Sequence, residues 1–90
     1  MTPADPDTAR DGAARALVRD GLAHVAPGPD LEALDDTADF RDALELDSLD
    51  FLAFVEHLSR VAGLRIDEED YPRLRTVASA AAFLTTTGRS

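Results

Sequence analysis

Residues 48–62 carry the strongest helical pattern in the sequence, and this pattern constrains the fold more than any other feature. At 3.6 residues per turn, the large apolar side chains of the segment fall on one face: Phe51, Phe54, Val55, Leu58, Val61 and Ala62. Other parts of the chain must cover that face, so the segment predicts an amphipathic helix packed on a core. Gly63 is suited to cap its C-terminal end.

The segments on either side of this helix are also helical in pattern. Residues 8–25 place apolar side chains on one broad face, and the Pro-Gly-Pro run at 27–29 ends that first helix. After an acidic stretch at 67–70, a proline limits a short helix to about one turn. A last helix is expected over 76–85, with Phe83 at the edge of its buried face.

The connection between the first two helices, residues 27–47, is long for a compact domain. Such loops are usually functional or contain short turns of their own. Apolar anchors recur along it, at Leu31, Leu34, Phe40, Leu44 and Leu46. We therefore expect one or two single-turn helices, near 31–34 and 40–43.

Together these patterns predict an all-α protein with no strands. We expect a small three-to-four-helix bundle with a long loop between the first and second helices. Residues 1–7 contain two prolines and no apolar pattern, which is typical of a flexible N-terminal tail, and residues 8–87 form the helical domain.

The charge balance of the chain excludes some classes of partner. Eighteen acidic residues face nine basic ones, for a net charge of −9, and Arg41 alone opposes nine carboxylates between Asp30 and Asp50. Such a field repels nucleic acid and anionic membranes and attracts basic protein surfaces. The acidic run at 67–70 lacks the glycine and ligand spacing of a calcium loop, so no metal site is expected.

The rest of the composition points to the cytoplasm. No apolar run approaches the length of about 18 residues that a membrane span needs. The N-terminal residues lack the features of a signal peptide, and the absence of cysteine excludes disulfides and thiolate chemistry. We therefore expect a cytoplasmic protein that does not bind membranes.

The candidate site lies at the junction between the long loop and the helix predicted over residues 48–62. Asp47 or Ser48 can cap the helix, and Ser48 places a hydroxyl at the positive end of the helix dipole, where an attached phosphate is favoured. A cap with no further role is the simpler interpretation. However, Leu49 and Leu52 point away from the core face just after this serine, which indicates a docking surface.

These residues resemble the acyl carrier protein family. Asp47-Ser48-Leu49 resembles the family's D-S-L motif, in which the serine carries 4′-phosphopantetheine. Further matching positions surround the motif at the family's spacing: Phe40, Leu44, Asp50, Leu52, Val55, Leu58, Ile66, Thr76 and Val77. The resemblance covers about residues 40–84, and the first helix only by pattern.

The resemblance implies a discrete, stand-alone carrier rather than an enzyme. Its arm on Ser48, beside Asp47, would make it a phosphoprotein that holds acyl intermediates as thioesters in fatty-acid, polyketide or related specialised biosynthesis. A phosphopantetheinyl transferase would attach the arm, and acyl-loading and acyl-transferring enzymes with basic docking surfaces would then bind the carrier as a monomer. Four residues are implied to meet these partners: Leu49, Asp50, Leu52 and Glu56.

Two departures from the family pattern concern the local turn and the partners. Glu45 stands where the family usually has glycine, at a position that can need a left-handed backbone. The second helix carries Asp50 and Glu56 against Arg60, a net charge of −1, whereas carriers of fatty-acid synthesis usually have a strongly acidic second helix.

Three other functions compete with an acyl carrier. A peptidyl or aminoacyl carrier would share the motif, and an unmodified helical adaptor would use the exposed leucines alone. A serine hydrolase would need a histidine base, but His57 lies about 13 Å further along the same helix and His24 has no evident orienting partner. We expect both histidines at the surface or the core boundary.

Overall fold

The computed structural model describes residues 6–87, and in that range the chain is helical with irregular connections. Its elements are α1 (Pro6–Val25), α2 (Pro29–Glu32), α3 (Phe40–Ala43), α4 (Ser48–Ala62), a 3₁₀ helix (Glu68–Arg73) and α5 (Val77–Thr87). The predicted all-α fold is confirmed. α2 and α3 are the single-turn helices expected in the long loop, and α4 has the predicted bounds.

The ends of the other elements differ slightly from the sequence patterns. α1 begins at Pro6, because proline is tolerated in a first helical turn, where its missing N–H needs no partner. The predicted tail otherwise lies outside the described residues. The 3₁₀ helix continues past Pro72 because its two ends are held: the Asp70 carboxylate accepts the Asp67 N–H at 3.0 Å, and the Tyr71 carbonyl accepts the Leu74 N–H at 2.9 Å.

The core lies where α1 packs against α4 and α5. Its largest fully buried side chains come from α1, α3, α4, α5 and the residue that follows the 3₁₀ helix: Val18, Leu22, Phe40, Phe54, Leu58, Leu74, Val77 and Phe83. The rings of Phe40 and Phe54 meet edge to face, with 5.3 Å between their centroids. α3 therefore anchors the long loop directly to the middle of α4.

Two core predictions are wrong. Phe83, expected at the edge of the last helix, is only 1% exposed, and the Arg73 guanidinium covers its ring at 5.2 Å. Val61, expected in the core, is 46% exposed, because the fully buried stretch of α4 ends at Leu58 and in the last turn only Ala62 packs against the core. Periodicity identifies the apolar face of a helix, but not how much of its length other elements cover.

Arg19 ties the first half of the long loop to α1. Its guanidinium donates to the carbonyl oxygens of Leu31 (3.4 Å) and Leu34 (2.9 Å) and pairs with the Asp36 carboxylate. Arg15, one turn earlier on α1, donates to the same carboxylate at 3.0 Å. Because one side chain satisfies two backbone carbonyls and a charge, this part of the loop is fixed with only the single turn of α2 as regular structure.

The second half of the loop is bound to residues 75–78, which include the segment just before α5 and its first turn. The Phe40 N–H donates to the Arg75 carbonyl and the Ala78 N–H donates to the Asp36 carbonyl, each at 2.9 Å. Asp39 caps α3 and accepts from the Arg75 guanidinium at 2.8 Å. That hydrogen bond holds the pKa of Asp39 below its ordinary value, so its carboxylate stays charged to a lower pH than a free aspartate.

Candidate functional site

The candidate site begins at the cap of α4. Asp47 has an extended backbone, and its carboxylate accepts the Asp50 N–H at 2.8 Å, so Asp47 is the N-cap. The sequence left open whether Asp47 or Ser48 plays this part. Ser48 is the first residue of the helix and is exposed. The cap therefore does not use the Ser48 hydroxyl, which faces solvent.

The position of Ser48 suits an attached phosphate group. The first backbone N–H groups of a helix have no partner within the helix, and the aligned peptide dipoles place partial positive charge at that end. α4 has 15 residues, so it is long enough for its peptide dipoles to stabilise a negative charge near its first turn. A phosphate esterified to an exposed serine there would be held by backbone that is already in place.

The two histidines lie apart from this serine. Their rings stack on each other between α1 and α4, with 4.5 Å between centroids and 17° between ring planes. As predicted, His24 is exposed and His57 is half-buried. No sequence pattern links residues on different helices, so their pairing could not be foreseen. Nine residues of helix, about 13 Å, separate Ser48 from His57, which is beyond the reach of a general base.

The outer face of α4 carries the apolar residues that the sequence pattern placed away from the core. Leu49 is 77% exposed and Leu52 is 41% exposed. Glu56 is exposed on the same helix, and Asp50 is half-buried with its N–H engaged by the cap. Two exposed leucines beside an exposed serine form an apolar patch with acidic neighbours, a composition suited to protein contact.

Glu45 adopts the left-handed backbone that its sequence position indicated. Its φ angle is +53°, the only positive φ of a non-glycine residue among those described. This conformation brings Leu46, with its side chain buried, into the turn that leads to Asp47. A side chain in this region strains the backbone by about 1–2 kcal/mol, which the rest of the turn must offset.

Replacing Glu45 with glycine should stabilise the protein by about 0.5–1 kcal/mol. Glycine removes the left-handed strain, and the gain is reduced because glycine is more flexible in the unfolded chain. Urea denaturation of wild type and Glu45→Gly measures the difference. Glu45→Ala serves as the control, since it removes the charge but keeps the strain, and it should fall within about 0.5 kcal/mol of wild type. If the glycine and alanine variants are equally stable, the backbone at position 45 is not strained by the left-handed conformation.

A groove that sequence reasoning missed runs beside the candidate site. It lies between the loop at residues 39–46 and the 3₁₀ helix, with a volume of about 550 Å³. Leu46 and Tyr71 contribute apolar lining, while Arg41 and the Asp39–Arg75 pair make much of its wall charged. Folding alone brings these segments together, because they are distant in sequence.

The described part of the chain contains no side-chain cluster suited to a metal ion and no helix able to span a membrane. Its histidine, aspartate and glutamate side chains form no group of three or more that could hold a metal ion. Within residues 6–87, no helix combines the length and the apolar character needed to cross a bilayer.

Comparison with known proteins gives two consistent results. Residues 16–84 match the family model described as the phosphopantetheine attachment site. Two acyl carrier proteins of Brachyspira hyodysenteriae, one of them from strain WA1, are each 31% identical over 67 residues, which cover 74% of this chain and 86% of theirs. No solved structure gives a significant match.

Proposed function

Because this chain belongs to the acyl carrier protein family of phosphopantetheine-carrying proteins, we propose that it holds acyl intermediates on an arm attached to Ser48. Members of this family are carriers rather than enzymes, and they interact with a phosphopantetheinyl transferase and with acyl-handling enzymes. The prosthetic group supplies a terminal thiol for thioester linkage, which this cysteine-free chain lacks.

The observation that supports the choice of Ser48 is its position as the exposed first residue of α4, directly after the N-cap Asp47. Asp47 supplies the capping oxygen, so the Ser48 hydroxyl is exposed and available to an incoming transferase. The free N–H groups of the first turn and the helix dipole suit the phosphate that would link the arm to this oxygen. Asp47 thus fixes the backbone of the residue that carries the arm.

The charge of α4 favours a specialised biosynthetic pathway over general fatty-acid synthesis. Asp50 and Glu56 against Arg60 leave this helix with a net charge of −1, so partners that bind it need less positive charge than partners of a strongly acidic helix. We propose that the acyl groups it carries are intermediates of fatty-acid, polyketide or related specialised biosynthesis. A peptidyl or aminoacyl carrier is the nearest alternative, and an unmodified adaptor the more distant one.

The acidic loop before Ser48 supports partners with basic docking surfaces. Nine carboxylates between Asp30 and Asp50 create a negative field beside the site, which speeds encounter with a positively charged surface. We propose that the outer face of α4 then makes the close contact, through Leu49, Asp50, Leu52 and Glu56. We also predict that the carrier works as a cytoplasmic monomer.

Enzymatic attachment of the arm tests this proposal directly. The purified protein is incubated with coenzyme A and a broad-specificity phosphopantetheinyl transferase, and its intact mass is measured. We expect a gain of one phosphopantetheine group. Trypsin then releases the peptide 42–60, which contains Ser48 and Ser59, and fragmentation should place the group on Ser48. No gain, with a transferase shown to act on a control carrier, would contradict the proposal and favour the adaptor.

Leu49→Ala should lower the kcat/KM of the transferase for this carrier by about 5- to 30-fold. A leucine side chain buried at an interface contributes about 1–2 kcal/mol, and Leu49 is the most exposed large apolar residue in the described chain. Val61→Ala is the matched control, because Val61 is also exposed on α4 but lies at the far end from Ser48. An unchanged kcat/KM for Leu49→Ala would show that Leu49 is not part of the surface that binds the transferase.

A further inference from the structure

Arg41 occupies an unusual electrostatic position beside the site. It is the only basic residue between Asp30 and Asp50, in a segment with nine carboxylates. A phosphodiester on Ser48 would add another negative charge to this segment. Like charges at such short range raise the free energy of the folded chain unless a cation lies among them.

The guanidinium of Arg41 lies over the ring of Phe51, with 4.5 Å between Cζ and the ring centroid. Phe51 is three residues after Ser48, so the two side chains are neighbours on the helix surface, about 5–6 Å apart at Cβ. Side chains on a helix lean toward its N-terminus, which places the Phe51 ring over the first turn of α4. The Arg41 guanidinium is therefore held next to the turn that begins with Ser48.

The way Arg41 is held leaves its donors available. A guanidinium stacked on an aromatic face uses its flat surface, while its N–H groups point outward in the plane and can bind two oxygens of a phosphate. Across the described residues, no carboxylate lies within ion-pair distance of Arg41.

Several other arginines are already committed. Arg19 pairs with Asp36, Arg65 with Asp67, and Arg75, which also lines the groove, with Asp39. Of the two arginines that line the groove, Arg75 is paired with Asp39, whereas Arg41 has no carboxylate partner among the described residues and lies close to the first turn of α4.

We propose that Arg41 binds the phosphodiester of the arm on Ser48 and acts as its positioning residue. This inference rests on the proposed function. Arg41 also lines the groove between the loop and the 3₁₀ helix, and Leu46 lines the same groove two residues before Ser48. If Arg41 binds the phosphodiester, the attached end of the arm lies at the edge of this groove, on the side of α4 away from Leu49.

The alternative role for Arg41 is purely structural, as a cover over the Phe51 ring. Phe51 also meets the edge of Tyr71, with 5.3 Å between centroids, so this stack helps to hold the 3₁₀ helix. A structural cover would stabilise the protein equally with and without the arm. A phosphodiester ligand stabilises only the arm-bearing form, and this difference can be measured.

The test compares melting temperatures of the apo and arm-bearing forms of three proteins: wild type, Arg41→Gln and Arg60→Gln. Mass spectrometry first confirms that each protein carries one arm. We expect the change in Tm on arm attachment to be lower by about 2–4 °C in Arg41→Gln than in wild type. Arg60→Gln removes an exposed arginine at the other end of α4 and should match wild type. High salt should shrink the difference.

Nuclear magnetic resonance gives a second readout. The Arg41 Nε–H signal, assigned by its loss in Arg41→Gln, should shift when the arm is attached, while that of Arg60 should not. Equal Tm changes in all three proteins, with an unmoved Arg41 signal, would overturn the inference while leaving the carrier function intact. Failure of wild type to gain the arm would instead contradict the proposed function.

Discussion

Ser48→Ala is expected to abolish attachment of the arm and to leave the fold intact. No other atom at the start of α4 can replace the lost hydroxyl, so the mass gain of the wild-type protein should disappear completely. The capping bond from the Asp47 carboxylate to the Asp50 N–H does not involve Ser48. The free energy of unfolding should therefore change by less than about 0.5 kcal/mol, as for other exposed surface positions. Intact mass and urea denaturation measure the two effects.

Ser59→Ala is the matched control for this experiment. Ser59 lies on the same helix and in the same tryptic peptide, but its hydroxyl donates to the Leu64 carbonyl. The variant should be less stable by about 1 kcal/mol and should still gain one arm. A Ser48→Ala protein that remains folded and gains the arm would exclude Ser48 as the attachment residue.

Gly21→Val is expected to destabilise the protein by about 3 kcal/mol and to lower its Tm by more than about 10 °C. A Cβ atom at Gly21 would lie 2.9 Å from Cε1 of Phe54, a contact too short to exist without movement. Phe54 cannot give way easily, because it is fully buried and its ring packs against Phe40. α1 and α4 would have to separate along the main interface of the core.

Gly12→Val on the same helix separates crowding from helix propensity. A Cβ atom at Gly12 meets nothing within 4 Å, and valine is a somewhat better helix former than glycine. Its stability should stay within about 0.5 kcal/mol of wild type or rise slightly. Thermal unfolding of both variants gives the comparison. Equal losses at positions 12 and 21 would contradict a close approach of α1 and α4 at Gly21.

The features that the sequence predicted correctly are those fixed by neighbours along the chain. The bounds of α4 follow from a 3.6-residue pattern with a capping aspartate before it and Gly63, at a φ of +67°, after it. The exposure of Leu49 and the left-handed backbone at Glu45 are also local properties. Each can be read within one or two turns of the residue concerned.

The features that the sequence did not predict depend on contacts between distant segments. Phe83 is buried because of the elements that surround α5, and Val61 is exposed because neighbouring elements cover the last turn of α4 only in part. The groove, the stacked histidines and the position of Arg41 over Phe51 likewise need the folded chain. The resemblance to a family indicated Ser48 as the proposed attachment residue, whereas the proposal for Arg41, which lies outside the family's motif, needed the structure.

The hydrogen bonds between the long loop and the start of α5 have a consequence for how the chain folds. They join Asp36 to Ala78 and Phe40 to Arg75. The loop near the N-terminal half of the chain is therefore fixed only when residues close to the C-terminus are present. Contacts between residues far apart in sequence slow folding and make it cooperative. A nascent chain that ends before Arg75 leaves the Phe40 N–H without its acceptor, the Arg75 carbonyl, and the Asp36 carbonyl without its donor, the Ala78 N–H. Both contacts that close the long loop can therefore form only after residue 78 has been synthesised.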